Sequence, residues 1–190
     1  MSTSAESEPT FTAFANLRRI ARGSRQAIVA HLRERAPGAA PVLVFDDATG
    51  EQVDLDLRAE DRQAPAPAPS EEPAARGVGR PRLGVVAREV TLLPRHWDWL
   101  ARQPGGASVA LRKLVDEARH VNAGIDAQRA SRETTYRFMT AIAGDMPGFE
   151  EATRALFAGE RQRFESLIDS WAQDVRTHVN ALAAAAWGNE

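Results

Sequence analysis

The sequence predicts an α+β fold, and three features of its residue pattern lead to that prediction. In the N-terminal third, apolar residues occupy every second position of short stretches, as at Val53, Leu55 and Leu57. Proline and alanine then alternate over residues 63–75. In the C-terminal half, apolar residues recur at every third or fourth position, which is typical of amphipathic helices. These patterns indicate a small β-containing module, a linker and a helical C-terminal part.

The first module is predicted to span residues 10–62, after a disordered polar tail of residues 1–9. A turn near Asn16 separates two short strands, and Ser24 is placed to cap the helix that follows. The loop Asp46–Gly50 offers side-chain acceptors and a glycine that tolerates a positive φ, so it is expected to close a second hairpin. The predicted elements have the order ββαββ and lie at Thr10–Phe14, Leu17–Ala21, Arg25–Arg35, Val42–Phe45 and Gln52–Leu57.

Residues 63–84 are predicted to form a linker, because this Pro/Ala/Gly-rich stretch has too few large apolar side chains to offset the entropy of ordering it. Residues 123–190 are predicted to fold as a helical hairpin. Apolar residues at steps of three and four along its last helix indicate a packing surface rather than a cofactor site. The expected helices, which flank a break at Gly144–Gly148, are Ala130–Ala143, Phe149–Phe157 and Glu160–Trp187.

The composition excludes several classes of function. The chain has no cysteine, which rules out disulfides, thiolate metal sites and cysteine nucleophiles, and its 4 histidines are too scattered for a metal cluster. No phosphate-binding glycine loop, hydrolase elbow or carboxylate pair is visible. His96 has no nucleophile or orienting group in its sequence context. We therefore expect no enzymatic activity, no catalytic residue, no metal and no cofactor.

The sequence also predicts a cytoplasmic protein without membrane contact. No apolar run approaches the roughly 20 residues that a spanning helix needs. The start of the chain, MSTSAESEPT, lacks the basic and apolar parts of a signal peptide.

Charge is distributed unevenly along the chain. The net charge of −2 argues against a generally basic surface that coats nucleic acid. Residues 76–120, however, carry nine basic and four acidic residues, a local balance of +5. A basic segment of this kind suits contact with phosphate groups.

Residues 85–122 carry the strongest functional signal. A β-rich run over Val85–Leu93 precedes a short helix that begins at Pro94, and after a Pro-Gly-Gly break a second helix is expected with Ser108 as its cap. A single strand is not stable alone, so it needs a partner edge. This order of elements resembles the ribbon-helix-helix family of the Arc and methionine repressors, in which two chains pair their strands into a ribbon that enters the major groove. The residues that carry the resemblance are Leu93, Pro94, Trp97, Leu100, Gly106, Ala107 and Ser108.

The resemblance implies a homodimer that binds double-stranded DNA and regulates transcription. In that family the first turn of the second helix binds a phosphate through backbone N–H groups, and the matching positions are Ser108 and Val109. The strand itself leaves two registers open. If Leu92 is the last core position, Ala87, Glu89 and Thr91 face DNA, and if Leu93 is that position, Arg88 faces DNA.

The approach to this segment, Gly-Arg-Pro-Arg at residues 79–82, resembles a minor-groove AT-hook, and the alternative is a flexible hinge with solvated arginines. The alternative for the whole segment is a protein–protein dimerisation module that does not bind DNA. The residues expected to contact DNA are Arg80, Arg82, Arg88, Thr91, Arg95, Ser108, Val109, Arg112 and Lys113.

Across its length the chain also resembles a bacterial family known as domain of unknown function 2239 (DUF2239). The stretches that look like this family are FTAF, VFDDATG, GRPRLGVVAREVTLLPRHWDWL and GGASVALRKLVDEAR. The resemblance implies a bacterial cytoplasmic protein in which these segments occur together, and it implies no activity.

Overall fold

The structure is a computed structural model that describes residues 8–35, 40–57 and 86–188. This part of the chain has an α+β fold, which confirms the predicted class. Residues 1–7 of the predicted tail and the predicted linker, with Arg80 and Arg82, lie outside the described residues. The strands are β1 (Phe11–Ala15), β2 (Arg18–Gly23) and β3 (Val42–Asp46). The helices are α1 (Arg25–Arg33), α2 (Pro94–Ala101), α3 (Gly106–Ala143), α4 (Phe149–Ala158), α5 (Arg161–Leu167) and α6 (Gln173–Leu182), and a short 3-10 helix follows at Ala183–Ala185.

The chain divides into two compact units. The first combines Met1–Arg58 with Asn122–Glu190, and the second is Ala59–Val121. The long helix α3 supplies residues to both units. The first unit is therefore built from two separate parts of the sequence, and the residues of the second unit lie between those parts in the sequence.

The first unit contains an antiparallel sheet with the strand order β2-β1-β3. Asn16 and Leu17 form the two-residue turn between β1 and β2, with φ of 48° and 65°. A two-residue turn with two positive φ angles matches the twist of the strands it joins. The predicted first hairpin and the Ser24 cap of α1, which accepts from the backbone N–H of Ala27 at 3.3 Å, are both confirmed.

Both faces of the central strand β1 are covered. Phe11 and Ala13 pack with Ile28 of α1 in one apolar cluster. Phe14, on the opposite face, packs with Phe138 of α3 in a larger cluster that the C-terminal helices complete. Alternate residues of a strand point to opposite faces, so a strand that is buried along its whole length requires this two-sided cover.

The second predicted hairpin forms only in part. Instead of a strand over Gln52–Leu57, one isolated bridge joins Gln52 to Phe45, and the backbone N–H of Val53 donates to Val44 O at 2.7 Å. Beyond Val53 the segment is held by a side chain, because Arg33 Nε donates to Leu57 O at 3.1 Å. Aspartates at every second position of this segment are poor strand formers. The ββαββ layout is thus reduced to three strands and a bridge.

The C-terminal part differs from the predicted hairpin of helices over residues 123–190. The helix that begins at Gly106 continues without interruption to Ala143, since nothing stronger than Gly124 breaks it. The predicted final helix is divided between α5 and α6 by a turn at which Arg176 donates to the backbone and side-chain oxygens of Asp169, both at 2.6 Å. The predicted break near Gly148 and the helix α4 are confirmed.

The described residues 86–93 contain no strand, in contrast to the predicted strand over residues 85–93. A strand is defined by ladder hydrogen bonds to a neighbour, and the sheet of the described chain is made of β1, β2 and β3. The backbone of Leu93 is extended, with φ −66° and ψ 148°. Pairing of this segment with a second chain stays a prediction.

Candidate functional site

Helix α2 is almost entirely exposed to solvent. It begins at Pro94, whose ring suits the first helical position, and the backbone N–H groups of His96 and Trp97 both donate to Leu93 O. Leu100 is its buried residue, 2% exposed, whereas Trp97 remains 42% exposed. Leu93, Trp97 and Leu100 share one side of the helix, because they lie four and three residues apart. Most of this apolar side is uncovered within the single chain.

An open apolar cavity of about 250 Å³ lies beside α2 and the start of α3. Leu92 is partly buried and lines this cavity, whereas Leu93 is exposed. The greater burial of Leu92 favours the register with Leu92 as the last core residue, and the register itself stays a prediction. The lining residues are Leu92, His96, Trp99, Leu100, Leu111 and Leu114.

Large apolar side chains are exposed throughout the described part of the second unit. Soluble monomers rarely leave large contiguous apolar surface uncovered, so such a concentration is a candidate interaction surface. The exposed residues are Val86, Val90, Leu93, Trp97, Trp99, Leu114, Val115 and Val121.

Helix α3 begins at Gly106, three residues before the Val109 start that a Ser108 cap would give. Gly105 and Gly106 have φ of 85° and 77°, conformations that suit glycine, and the backbone N–H of Gly106 donates to Gln103 O. Ser108 is therefore inside the first turn and is not the cap. The backbone N–H groups of a first turn have no partner further back in their own helix, so Ser108 and Val109 still lie where an anion can be bound.

The predicted basic contacts within the described residues are all exposed. Arg112 Nε donates to Ser108 O at 3.1 Å, so Arg112 lies on the Ser108 side of α3. Lys113 lies about 100° further around the helix. No ion pair within the described chain neutralises Arg88, Arg95 or Lys113. Thr91 is also exposed, so these side chains are available to a partner.

The first unit contains a buried polar cluster that the sequence analysis did not identify. Asp47 accepts hydrogen bonds from the hydroxyl groups of Thr10 and Thr12, at 3.0 and 2.7 Å, and from Arg22 Nε at 3.0 Å. The side chain of Asp47 is only 8% exposed. Charge-assisted hydrogen bonds of this kind offset the cost of burying a carboxylate. From the sequence alone, Asp47 is indistinguishable from an ordinary turn residue.

His178 of α6 completes this cluster. Its ring is 2% exposed and lies between Phe14 and Phe138, and its Nε2 has no hydrogen-bond partner within the described chain. Burial lowers the pKa of His178 from 6.5 to about 4, and this effect outweighs the attraction of Asp47, while Arg22 and Arg19 lower the pKa further. The imidazole is therefore neutral near pH 7 and does not form an ion pair with Asp47.

A bulge in the sheet brings two arginines to the same side as His178. The pairing of β2 with β1 slips between Ala13 and Phe14, which leaves Ile20 as an extra residue. Arg22 and Arg19 consequently pair with Thr12 and Phe14, two residues on one face of β1. Without the bulge these two arginines would face opposite sides.

The loop Asp46–Gly50 is anchored to α3. Thr134 Oγ1 donates to Ala48 O at 3.0 Å, and Arg137 donates to Thr49 O at 3.2 Å. Gly50 has φ of 70°, and a Cβ placed on it would lie 2.1 Å from Thr134 O. The sequence VFDDATG therefore fixes the sheet against a helix from the distant C-terminal part of the chain.

These features give the two units different chemistry. The Asp47 cluster is buried and hydrogen-bonded, which suits a structural role. Among the described residues, no three His, Asp or Glu side chains come together as they would at a metal site. None of the described helices has the length and apolar character that crossing a bilayer requires. The exposed apolar and basic groups of the second unit form the candidate functional site.

A model of a known protein family matches nearly the whole chain. A family model described as "Uncharacterized protein conserved in bacteria (DUF2239)" matches residues 10–183. No curated protein and no solved structure matches the chain. The resemblance of residues 85–122 to ribbon-helix-helix proteins stays a prediction. The chain belongs to the bacterial family DUF2239.

Proposed function

We propose that this protein is a homodimeric DNA-binding protein that acts through residues 86–121. One observation carries the proposal: α2 buries Leu100 alone, while Trp97 and Leu93 on the same side of the helix are exposed. A helix of 8 residues with one buried side chain has little to stabilise it in a monomer. A second copy of the chain that covers this surface would bury Trp97 and Leu93 and so stabilise α2.

Pairing of two copies through residues 86–93 accounts for the rest of the exposed surface. Two antiparallel segments would satisfy each other's backbone groups and form a two-stranded ribbon. In the Leu92 register, Val86, Arg88, Val90 and Leu92 face the helices, so Arg88 does not face DNA, and the apolar cavity beside α2 is closed from that side. The ribbon thus buries apolar groups that the single chain leaves in water.

DNA is the proposed partner because this segment carries groups that suit contact with phosphates. The first turn of α3 presents backbone N–H groups at Ser108, and Arg112 lies on the same side of that helix. Arg95 stands at the start of α2 and is exposed. Glu89 and Thr91 form a poor base-reading face, so affinity is expected to come mainly from phosphate contacts.

The test is a titration of labelled mixed-sequence duplex DNA with the full-length protein at increasing salt, followed by fluorescence anisotropy. Binding should weaken steeply with salt, because each neutralised phosphate releases condensed counterions. The double variant Arg95→Gln/Arg112→Gln should weaken binding equally on all sequences, and each lost contact should lower the salt slope by about 0.9. The matched control is Arg163→Gln, which removes an arginine paired with Glu160 in the other unit. No binding at low salt, or binding that is independent of salt, would contradict the proposal.

The second candidate function is protein–protein dimerisation without DNA. The observation that favours it is Glu89, whose carboxylate would repel phosphates from the ribbon face. A stable dimer that binds no duplex at low salt would support this alternative.

A further inference from the structure

We infer that the dimer interface continues along α3 as a two-stranded coiled coil with the second copy of the chain, an inference that rests on the homodimer proposed above. The residues concerned, here called the α3 stripe, are Leu111, Leu114, Ala118, Val121 and Ile125.

The first ground is exposure. Residues 112–127 of α3 are exposed on every side of the helix. Val121 and Ile125 are 71% and 57% exposed, which is unusual for β-branched residues of a helix. A helical stretch of this length whose side chains are exposed to water is only marginally stable. Something must cover its apolar side if the helix is to persist.

The second ground is spacing. The members of the α3 stripe follow one another at intervals of three, four, three and four residues. This is the pattern that keeps one seam of a helix against a partner helix of the same kind, in contrast to the wider stripe of a helix that packs on a globular core. The pattern therefore specifies a helical partner.

The third ground is continuity with the proposed interface. Leu111 and Leu114 lie beside α2 and line the cavity that the ribbon closes, and the same unbroken helix leads on to Val121 and Ile125. In a two-fold symmetric dimer the same surface of both chains forms the interface, so the α3 stripe of one copy can meet that of the other. The second copy is thus the helical partner that the proposed dimer already supplies.

The test measures the dimer dissociation constant of the full-length protein by sedimentation equilibrium. Val121→Glu and Ile125→Glu place a charge in the seam and should raise the dissociation constant by at least about tenfold, since a buried unpaired charge is strongly unfavourable. The matched control is Ala123→Glu, because Ala123 is exposed and lies roughly 160° around the helix from the centre of the stripe. The conservative variants Val121→Leu and Ile125→Leu should retain the dimer. Circular dichroism of each variant shows whether α3 remains helical.

Each outcome decides the inference. Weaker dimers for the two seam variants, with the control and the conservative variants unchanged, support it. If all variants dimerise like the wild type, the coiled coil is overturned while the dimer through residues 86–93 stands. If the wild-type protein is a monomer, both the coiled coil and the proposed function fail. If Ala123→Glu disrupts the dimer as much as Ile125→Glu does, the stripe is not the interface.

Discussion

His178 Nε2 lies 3.6 Å from Oδ1 of Asp47, and both side chains are almost completely buried. The pair joins the C-terminal helix α6 to the loop after β3. Arg22 already balances the charge of Asp47, and the imidazole stays neutral because burial lowers its pKa to about 4. Because burial of His178 lowers its pKa despite the nearby charge of Asp47, the stability of the first unit depends on pH.

The first prediction concerns this pH dependence. The pKa of His178 is about 4 in the folded protein, against the ordinary histidine value of 6.5 in the unfolded chain, so the unfolded chain binds more protons between these two pH values. The stabilising effect is complete above pH 6.5 and is lost as the pH falls towards 4, by about 3 kcal/mol in all. Urea unfolding at a series of pH values measures it. His178→Gln should remove this part of the pH dependence, whereas the exposed His31→Gln should retain it.

The fold was predictable from the sequence where neighbouring residues alone determine the local structure, as at turns and helix caps. The positive φ angles of Asn16 and Leu17 follow from a two-residue turn between short strands, and Ser24 caps α1 as its residue type indicates. The contact between Asp47 and His178 was not predictable, because nothing near either residue in the sequence points to the other. Only the packing of α6 on the sheet brings them together.

Two other differences between the predicted and the observed structure also arise from features that the local sequence pattern does not show. The turn between α5 and α6 interrupts a continuous helical pattern of apolar residues, and Arg176 donates to Asp169 across it. At the candidate site, the sequence predicted the helices α2 and α3 and the exposed basic residues. It could not locate the first residue of α3, because two glycines with positive φ allow the helix to begin before Ser108. Tertiary contacts and unusual backbone angles therefore account for the differences.

The second prediction concerns the anchored loop. Gly50→Ala should lower the free energy of unfolding by about 2 kcal/mol or more, because the new Cβ meets Thr134 O and the positive φ disfavours alanine. The matched control is Gly124→Ala in α3, where the added Cβ meets nothing within 4 Å. Alanine favours the helix there by about 1 kcal/mol relative to glycine, so this variant should be slightly more stable. Equal stability of the two variants in urea unfolding would show that the loop is not anchored as described.

The third prediction separates the core of the second unit from its surface. Leu100→Ala removes a buried side chain and should destabilise this unit by about 2–4 kcal/mol at any protein concentration. Trp97→Ala removes an exposed side chain and should act only through the dimer, so its effect on the thermal midpoint should depend on protein concentration. Thermal unfolding at several concentrations measures both effects. A concentration-independent loss for Trp97→Ala would place Trp97 in the core of the monomer.

The most direct test of the central claim, that residues 86–93 of two copies pair into a ribbon, is the molar mass of the full-length protein in solution by light scattering. The account predicts twice the chain mass of 20.7 kDa for the wild type. Val90→Pro should shift the mass towards that of one chain, because proline cannot donate to a ladder and distorts the strand. A wild-type protein with the mass of a single chain, or a Val90→Pro variant that dimerises as tightly as the wild type, would contradict the claim.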